Sequence, residues 1–286
     1  MSRILFYLFL LPLSKLPLSV LYNLSDITFL LIYRIAGYRT KVVRQNLRNS
    51  FPEKADEELK SIEKAFYRHL CDIIIESISM ISMSKAEAIS RMRMKNPELL
   101  ESYAQANQSV IIVAGHYNNW ELAALALAPQ SVHQIIGFYT QITDRFMELK
   151  VRESRGKFGI LLVPTKEVSE CFKAHENNLI APLFGADQSP SNISNAHWVT
   201  FLHQETAVAG GTEYYAKKYN YPVLFGKIEK IKRGFYEFEL IVLTDNPKDT
   251  LQGEISEMHT RKLESIIRQK PEFWLWTHRR WKKKRI

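Results

Sequence analysis

Cysteine is nearly absent from this sequence: Cys71 and Cys171 are its only two. Two thiols so far apart make neither a disulfide framework nor a metal or redox motif, and both read as reduced core residues of a cytosolic protein. The eight histidines never fall at His-x-x-x-His spacing, so no metal is expected. No Gly-Lys-Ser/Thr loop accompanies the Gly210-Gly211 pair. A nucleotide site is therefore unsupported, and no cofactor is expected. Internal repeats and low-complexity tracts are missing, as is any linker that would part a second globular domain. Acidic charge is the scarcer sign, 30 Asp and Glu against 39 Lys and Arg, for a formal charge of +9. That balance favours an anionic partner, whether phospholipid surface, nucleic acid or acidic protein, without choosing among them. What is present in quantity is apolar: 46% of the chain, with 12% aromatic residues, enough to bury a large core.

Much of that apolar character sits at the N-terminus. Ile4–Leu11, Leu16–Leu24 and Ile27–Ile35 are strongly hydrophobic, interrupted by Pro12, Lys15, Pro17, Asp26 and Arg34. No uninterrupted run reaches the roughly 18 apolar residues of a clean transmembrane helix. No small-residue cleavage site follows Leu11, which argues against a signal peptide. The expectation is a broken helical hairpin or an in-plane anchor over residues 1–37, ahead of a catalytic domain over 38–286. The competing reading is a hydrophobic helix pair packed on the domain itself. Membrane contact is preferred because Arg34, Arg39, Lys41, Arg44 and Arg48 follow at once. A basic cluster beside an apolar anchor attracts anionic headgroups and belongs on the cytoplasmic side.

After Ser50-Phe51-Pro52 the acidic residues Glu53, Asp56, Glu57 and Glu58 open a long helix, matching its positive N-terminal end. Its His69 and Glu76 read as ordinary face residues. From residue 109 the pattern changes to short apolar runs between helical stretches. Strands are expected at Val110–Ala114, Gln134–Tyr139, Ile160–Val163, Leu179–Phe184, Trp198–Leu202, Pro222–Ile228 and Phe235–Val242, the last antiparallel. Helices are expected at Glu121–Ala128, Asp144–Arg155, Glu167–Glu176, Gly211–Tyr219 and Glu254–Gln269. Alternation of this kind implies an α/β layered domain with a largely parallel central sheet flanked by helices.

The first of these strands, Val110–Ala114, runs into Gly115-His116-Tyr117-Asn118-Asn119-Trp120-Glu121. Active-site groups in open α/β sheets lie at the carboxyl ends of strands, which is where His116 falls. Positions i and i+5 lie about 140° apart on a straight helix, so His116 and Glu121 meet only if the histidine sits in the turn and the glutamate in the first helical turn. Gly115, and Asn118 as an N-cap, make such a turn reasonable. Glu121 would then hold the imidazole in one tautomer while its free nitrogen takes a proton from a hydroxyl, and helix N–H groups would support an oxyanion. The bland alternative is a capping histidine and a helix-start glutamate with no chemistry.

This heptapeptide resembles the His-(x)4-Asp/Glu signature of glycerolipid acyltransferases, and most closely the Gly-His-Phe-Gly-Asn-Trp-Glu form of the LpxL/LpxM family of late lipid A acyltransferases. Three further stretches match that family in order. Lys41–Pro52 is similar to its basic Asn-Leu…Phe-Pro segment, and Ala186-Asp187-Gln188 resembles its Asp-Gln/His motif. Pro271–Lys282 resembles its C-terminal Pro-Glu-Gln-Tyr-x-Trp-x-His-Arg-Arg-Phe-Lys. Together they span nearly the whole chain, and four ordered motifs are far more specific than one. Gly210-Gly211-Thr212 also fits. Two departures stand out: Tyr117-Asn118 replaces Phe-Gly, and the loop Ser189–Val199 is unusually rich in Asn and Ser.

The resemblance implies a glycerolipid-acyltransferase-like fold and acyl transfer from an acyl carrier protein thioester to a hydroxyl of a lipid A precursor. The setting would be the cytoplasmic face of the inner membrane. It makes His116 the general base and Glu121 its orienting partner. Asp187 would line the site with Asn119 as a further substrate-binding candidate. An arginine between the motifs, Arg155 or Arg152 with preference for Arg155, would bind phosphate or support the oxyanion. A phospholipid or aminolipid acceptor is the alternative within the class. The C-terminal Trp274, Trp276, Trp281 and Lys282–Arg285 could instead hold a membrane or nucleic acid, but the apolar first 35 residues speak against a nucleic-acid binder. Such a tail can also simply be solvated, with some of its tryptophans tucked into the domain.

Overall fold

Unbroken Val/Ile/Leu runs such as Val110–Val113 suit strands buried on both faces, as in parallel sheets. The computed structural model describes residues 1–194 and 196–285; Asn195 of the Asn/Ser-rich loop, and Ile286, lie outside the described residues. Strands form at Met92–Met94 (β1), Ile111–Ala114 (β2), Gln134–Tyr139 (β3), Leu161–Pro164 (β4), Ile180–Gly185 (β5), His197–Phe201 (β6), Gln204–Val208 (β7), Val223–Lys232 (β8) and Phe235–Thr244 (β9). Seven make one sheet in the order β1-β9-β8-β2-β5-β3-β4, parallel throughout except where β8 meets β9. The antiparallel place of β9 is the expected one.

Two strands were not foreseen. Met92-Arg93-Met94 is too short to show a period and forms by pairing with Tyr236–Phe238 at the sheet edge. Gln204–Val208 pairs with His197–Phe201 in a separate hairpin, so the run expected at Trp198–Leu202 is a strand outside the central sheet.

Alternation along β2 splits the core. Ile111 and Val113 pack with Leu263 and Ile266 of the helix Glu254–Gln269. Ile112 packs with Leu122, Ala123 and Leu125 of the helix Trp120–Ala126. Successive side chains on opposite faces of a strand require this split. The acidic-headed helix runs from Asp56 to Ser79, and Cys71 and Cys171 are both free and buried.

The N-terminal segment is helical from Ser2 to Ser14, breaks at Lys15–Pro17, and resumes from Leu18 to Ile35, each arm containing a π-helical turn. Bridging Asp26 and Arg34 into one helix makes Leu18–Ile35 an 18-residue segment of mean hydropathy 1.3, long and apolar enough to cross a membrane. No such continuous span was expected from the sequence. The hairpin also packs on the domain. Ser25 Oγ donates to Asp72 at 2.8 Å, Tyr22 Oη donates to Glu76 at 2.8 Å, and Arg233 bridges Asp26 and Asp72 at 2.8 and 2.6 Å. Its other face is bare: Ile4, Leu8, Phe9, Leu30, Leu31 and Ile35 are all at least half exposed. Packing on the domain and presenting an apolar surface are therefore compatible, one per face.

Candidate active site

β2 and β5 are hydrogen-bonded neighbours with Ala114 opposite Gly185. Each chain leaves its strand there, and two residues on stand His116 and Asp187. Parallel pairing thus delivers both side chains to one spot from positions 71 residues apart. The Nδ1–H of His116 donates to Asp187 Oδ1 at 2.6 Å, and the His116 backbone N–H donates to Oδ2 at 2.8 Å. Trp274 Nε1 donates to the same Oδ2 at 2.8 Å. An acceptor-only carboxylate on Nδ1 leaves the lone pair on Nε2, which faces the exposed amide of Gln188 at 3.2 Å.

The turn is built for close approach. A Cβ at Gly115 would lie 2.7 Å from Leu263 Cδ1 and 3.3 Å from Asp187 Oδ2, and one at Gly185 would lie 3.1 Å from His116 Cε1. Asn118 has φ of 55°, the left-handed conformation, which asparagine tolerates better than most residues and which explains how it replaces glycine. Its side chain donates to Ile228 O at 2.8 Å. Asn118 is therefore not the helix cap. That role is taken by Asn119, whose Oδ1 accepts from Leu122 N at 2.8 Å.

The expected His116–Glu121 contact is replaced. His116 lies in the turn and Glu121 in the first helical turn, as the spacing required. The glutamate, however, is spent on Arg155, which donates Nε to Oε2 at 2.8 Å and Nη2 to Oε1 at 2.6 Å. A two-pronged guanidinium–carboxylate bond outcompetes a single imidazole contact. Asp187, expected only to line the site, holds the imidazole instead. Of the two arginines Arg155 joins the site, while Arg152 is exposed on the same helix.

Asn119 is fully buried and donates to Glu76 Oε2 at 2.6 Å, so it shapes the turn and offers nothing to a substrate. Glu76 is equally far from an ordinary face residue: it also accepts from Tyr22 and Tyr236. The turn's backbone donors are only partly committed. The N–H groups of His116, Tyr117, Asn118, Leu122 and Ala123 are already engaged within the protein.

Electrostatics follow the geometry. Burial works against the His116 cation, but the charge and hydrogen bond of Asp187 outweigh it. With Glu121 adding to this and Arg155 opposing, the imidazole rises above its ordinary 6.5. Burial alone would raise the Asp187 carboxyl. The His116 charge and its bonds to His116 and Trp274 bring it down to about 2.

The C-terminal segment belongs to the site's frame. Trp274 and Trp276 are buried, Trp281 donates to Thr206 Oγ1 at 2.7 Å, and Leu275 N–H donates to His116 O at 3.2 Å. Asn46, from the basic segment after the hairpin, donates to Trp276 O at 2.9 Å and His278 O at 3.1 Å. That burial takes Trp274 and Trp276 out of both the membrane and the nucleic-acid readings, while Trp281 is only partly buried. Four stretches scattered from residue 41 to residue 282 thus bond to one another around His116. A family model described as bacterial lipid A biosynthesis acyltransferase matches residues 2–283. This chain belongs to that family. No curated protein matches it.

Beside the site of this acyltransferase runs an apolar groove of about 220 Å³. Phe6 and Leu10 of the N-terminal hairpin, Ile78, Met80 and Ile81, and Met147 and Val151 line it, with the Glu121–Arg155 pair at its polar border. Sequence reasoning missed this groove because its walls come from four separated segments with no shared motif.

Proposed function

We propose that the protein transfers a fatty acyl chain from an acyl carrier protein thioester to a hydroxyl of a lipid A precursor, on the cytoplasmic face of the inner membrane. Membership of the lipid A acyltransferase family supports acyl transfer in lipid A biosynthesis. The observation that carries the chemistry is the imidazole of His116, anchored at Nδ1 by Asp187, with an Nε2 lone pair met only by the exposed amide of Gln188.

In this reading the acceptor hydroxyl displaces Gln188 from Nε2. His116 takes its proton as the oxygen attacks the thioester carbonyl carbon. The tetrahedral intermediate collapses with cleavage of the carbon–sulfur bond, and the imidazolium returns the proton to the departing thiolate. No acyl-enzyme forms. Asp187 stabilises the imidazolium, and Arg155, held by Glu121, supplies positive charge toward the developing oxyanion or an acceptor phosphate. The acyl chain lies in the groove between the hairpin and Met147–Val151, with its far end toward the bilayer. A formal charge of +9 suits an acidic carrier and a phosphorylated lipid.

Mass spectrometry of lipids from cells with and without the gene tests the acceptor. Loss of one acyl group from lipid A is expected. An unchanged lipid A with an altered phospholipid or aminolipid would move the activity to that acceptor instead.

A further inference from the structure

Against Asp187 lies a small cavity of about 10 Å³ whose lining does not include His116. Its walls are mostly apolar: Val113, Phe201, Phe225 and Leu263 among them. Two charged or titratable side chains also border it. Arg280 is buried, and among the described residues only its Nη2 finds a protein acceptor, Ala207 O at 2.7 Å; Nε and Nη1 have none there. His259 is likewise buried, with Nε2 unpartnered among the described residues. A buried guanidinium with unmet donors is costly unless something fills the space between them. The volume is that of one water molecule, which needs two to four polar partners to stay. Asp187 accepts three hydrogen bonds, and a carboxylate has about four lone-pair sites, so one remains.

We propose that this cavity binds one ordered water that joins Arg280 and His259 to Asp187, making both positioning residues for the carboxylate that holds His116. The inference rests on His116 being the working base, and deepens that reading. In this arrangement the orphaned Arg280 and His259 nitrogens meet the water, and the water meets Asp187. Arg280 also places a fixed cation near Asp187, which tempers how strongly the carboxylate favours the imidazolium. The other charged or titratable groups facing the pair are Glu121 and Arg155 beside His116, His278 on the C-terminal segment, and Glu213 beyond His259.

The test uses the full-length protein in detergent. A crystal structure of the unmodified chain at high resolution should show water density within hydrogen-bond distance of Arg280 and His259; an empty cavity overturns the proposal. The second measurement follows the His116 imidazole by NMR titration in the wild type and in Arg280→Met. Removing the cation should shift the midpoint to higher pH, and the pH 8.5 to pH 6.5 ratio of kcat/KM should grow about 2- to 2.5-fold, as a half-unit shift requires. An unmoved midpoint in folded Arg280→Met overturns the positioning role. The density is read on the wild type, so it decides even if the variant fails to fold. Density and titration both need no substrate, so they stand or fall separately from the acyl transfer proposed above.

Discussion

His116 has Nδ1 held by a buried carboxylate and Nε2 met only by the exposed amide of Gln188, and the choice between them is made by Asp187. On the proposed mechanism the base must be neutral; because Asp187 raises its pKa, transfer should be lost as pH falls through a midpoint above 6.5. In Asp187→Asn the charge is gone while burial remains, so the midpoint should drop below 6.5. The rate should also fall about 10²- to 10⁴-fold, the usual worth of a positioned acid–base pair. A pH–rate profile of kcat/KM for both proteins checks this, and an acidic limb that does not move would count against Asp187 as the orienting group. Glu121 acts one step away: its two bonds to Arg155 fix the guanidinium, and its charge reaches the imidazole only through space.

The N-terminal hairpin has two jobs divided between its faces. Tyr22, Ser25 and Asp26 tie it to Glu76, Asp72 and Arg233, while Phe6 and Leu10 wall the groove. Glu76 in turn holds Asn119, the cap of the helix that carries Glu121, so the hairpin and the site turn share one buried carboxylate. Deleting the hairpin would therefore confound anchoring with folding. Substitution on the bare face separates them. Leu8→Ser, Phe9→Ser, Leu30→Ser and Leu31→Ser together should release the protein from membranes in a pelleting assay and leave its melting temperature nearly unchanged. Each side chain is about half exposed or more, and losing its apolar contact with lipid costs about 1.5–3 kcal/mol of membrane binding when burial is full. Undiminished pelleting would refute the anchor.

Across the whole molecule, buried histidines set the response to acid. Burial holds His259 down to about 4, and lowers His69 and His133 as well. A histidine depressed in the folded state prefers to charge on unfolding. The stability from its neutral form is intact above about 6.5 and is lost as pH falls toward 4. For His259 that amounts to about 3 kcal/mol by pH 4, at about 1.4 kcal/mol per pH unit. His116 has the opposite sign and partly offsets it, since its raised value favours the folded state at low pH. Urea midpoints at pH 7 and pH 4.5 should differ less for His259→Gln than for the wild type; equal differences would show that His259 does not titrate in this range.

Periodicity was enough for most of the helices and strands, because a face that must be buried repeats along the chain every two or 3.6 residues; the short helices Lys85–Arg91 and Pro97–Gln105 escaped it. It failed at Met92–Met94, which is a strand only because Tyr236–Phe238 lies beside it. His116 was legible from its place at a strand end, whereas Asp187 and the C-terminal Trp-rich segment were marked out only by their resemblance to family motifs. Their pairing was not legible. Spacing along the chain pointed His116 to Glu121, five residues on. Parallel pairing of β2 with β5 set Asp187 closer, and Arg155 claimed the glutamate first. By itself the sequence determined the elements, the apolar N-terminus and the groups able to do acid–base work, all properties of neighbours in the chain. Only the tertiary structure decided which carboxylate serves which cation, because that contest is settled by distance and desolvation across strands 71 residues apart.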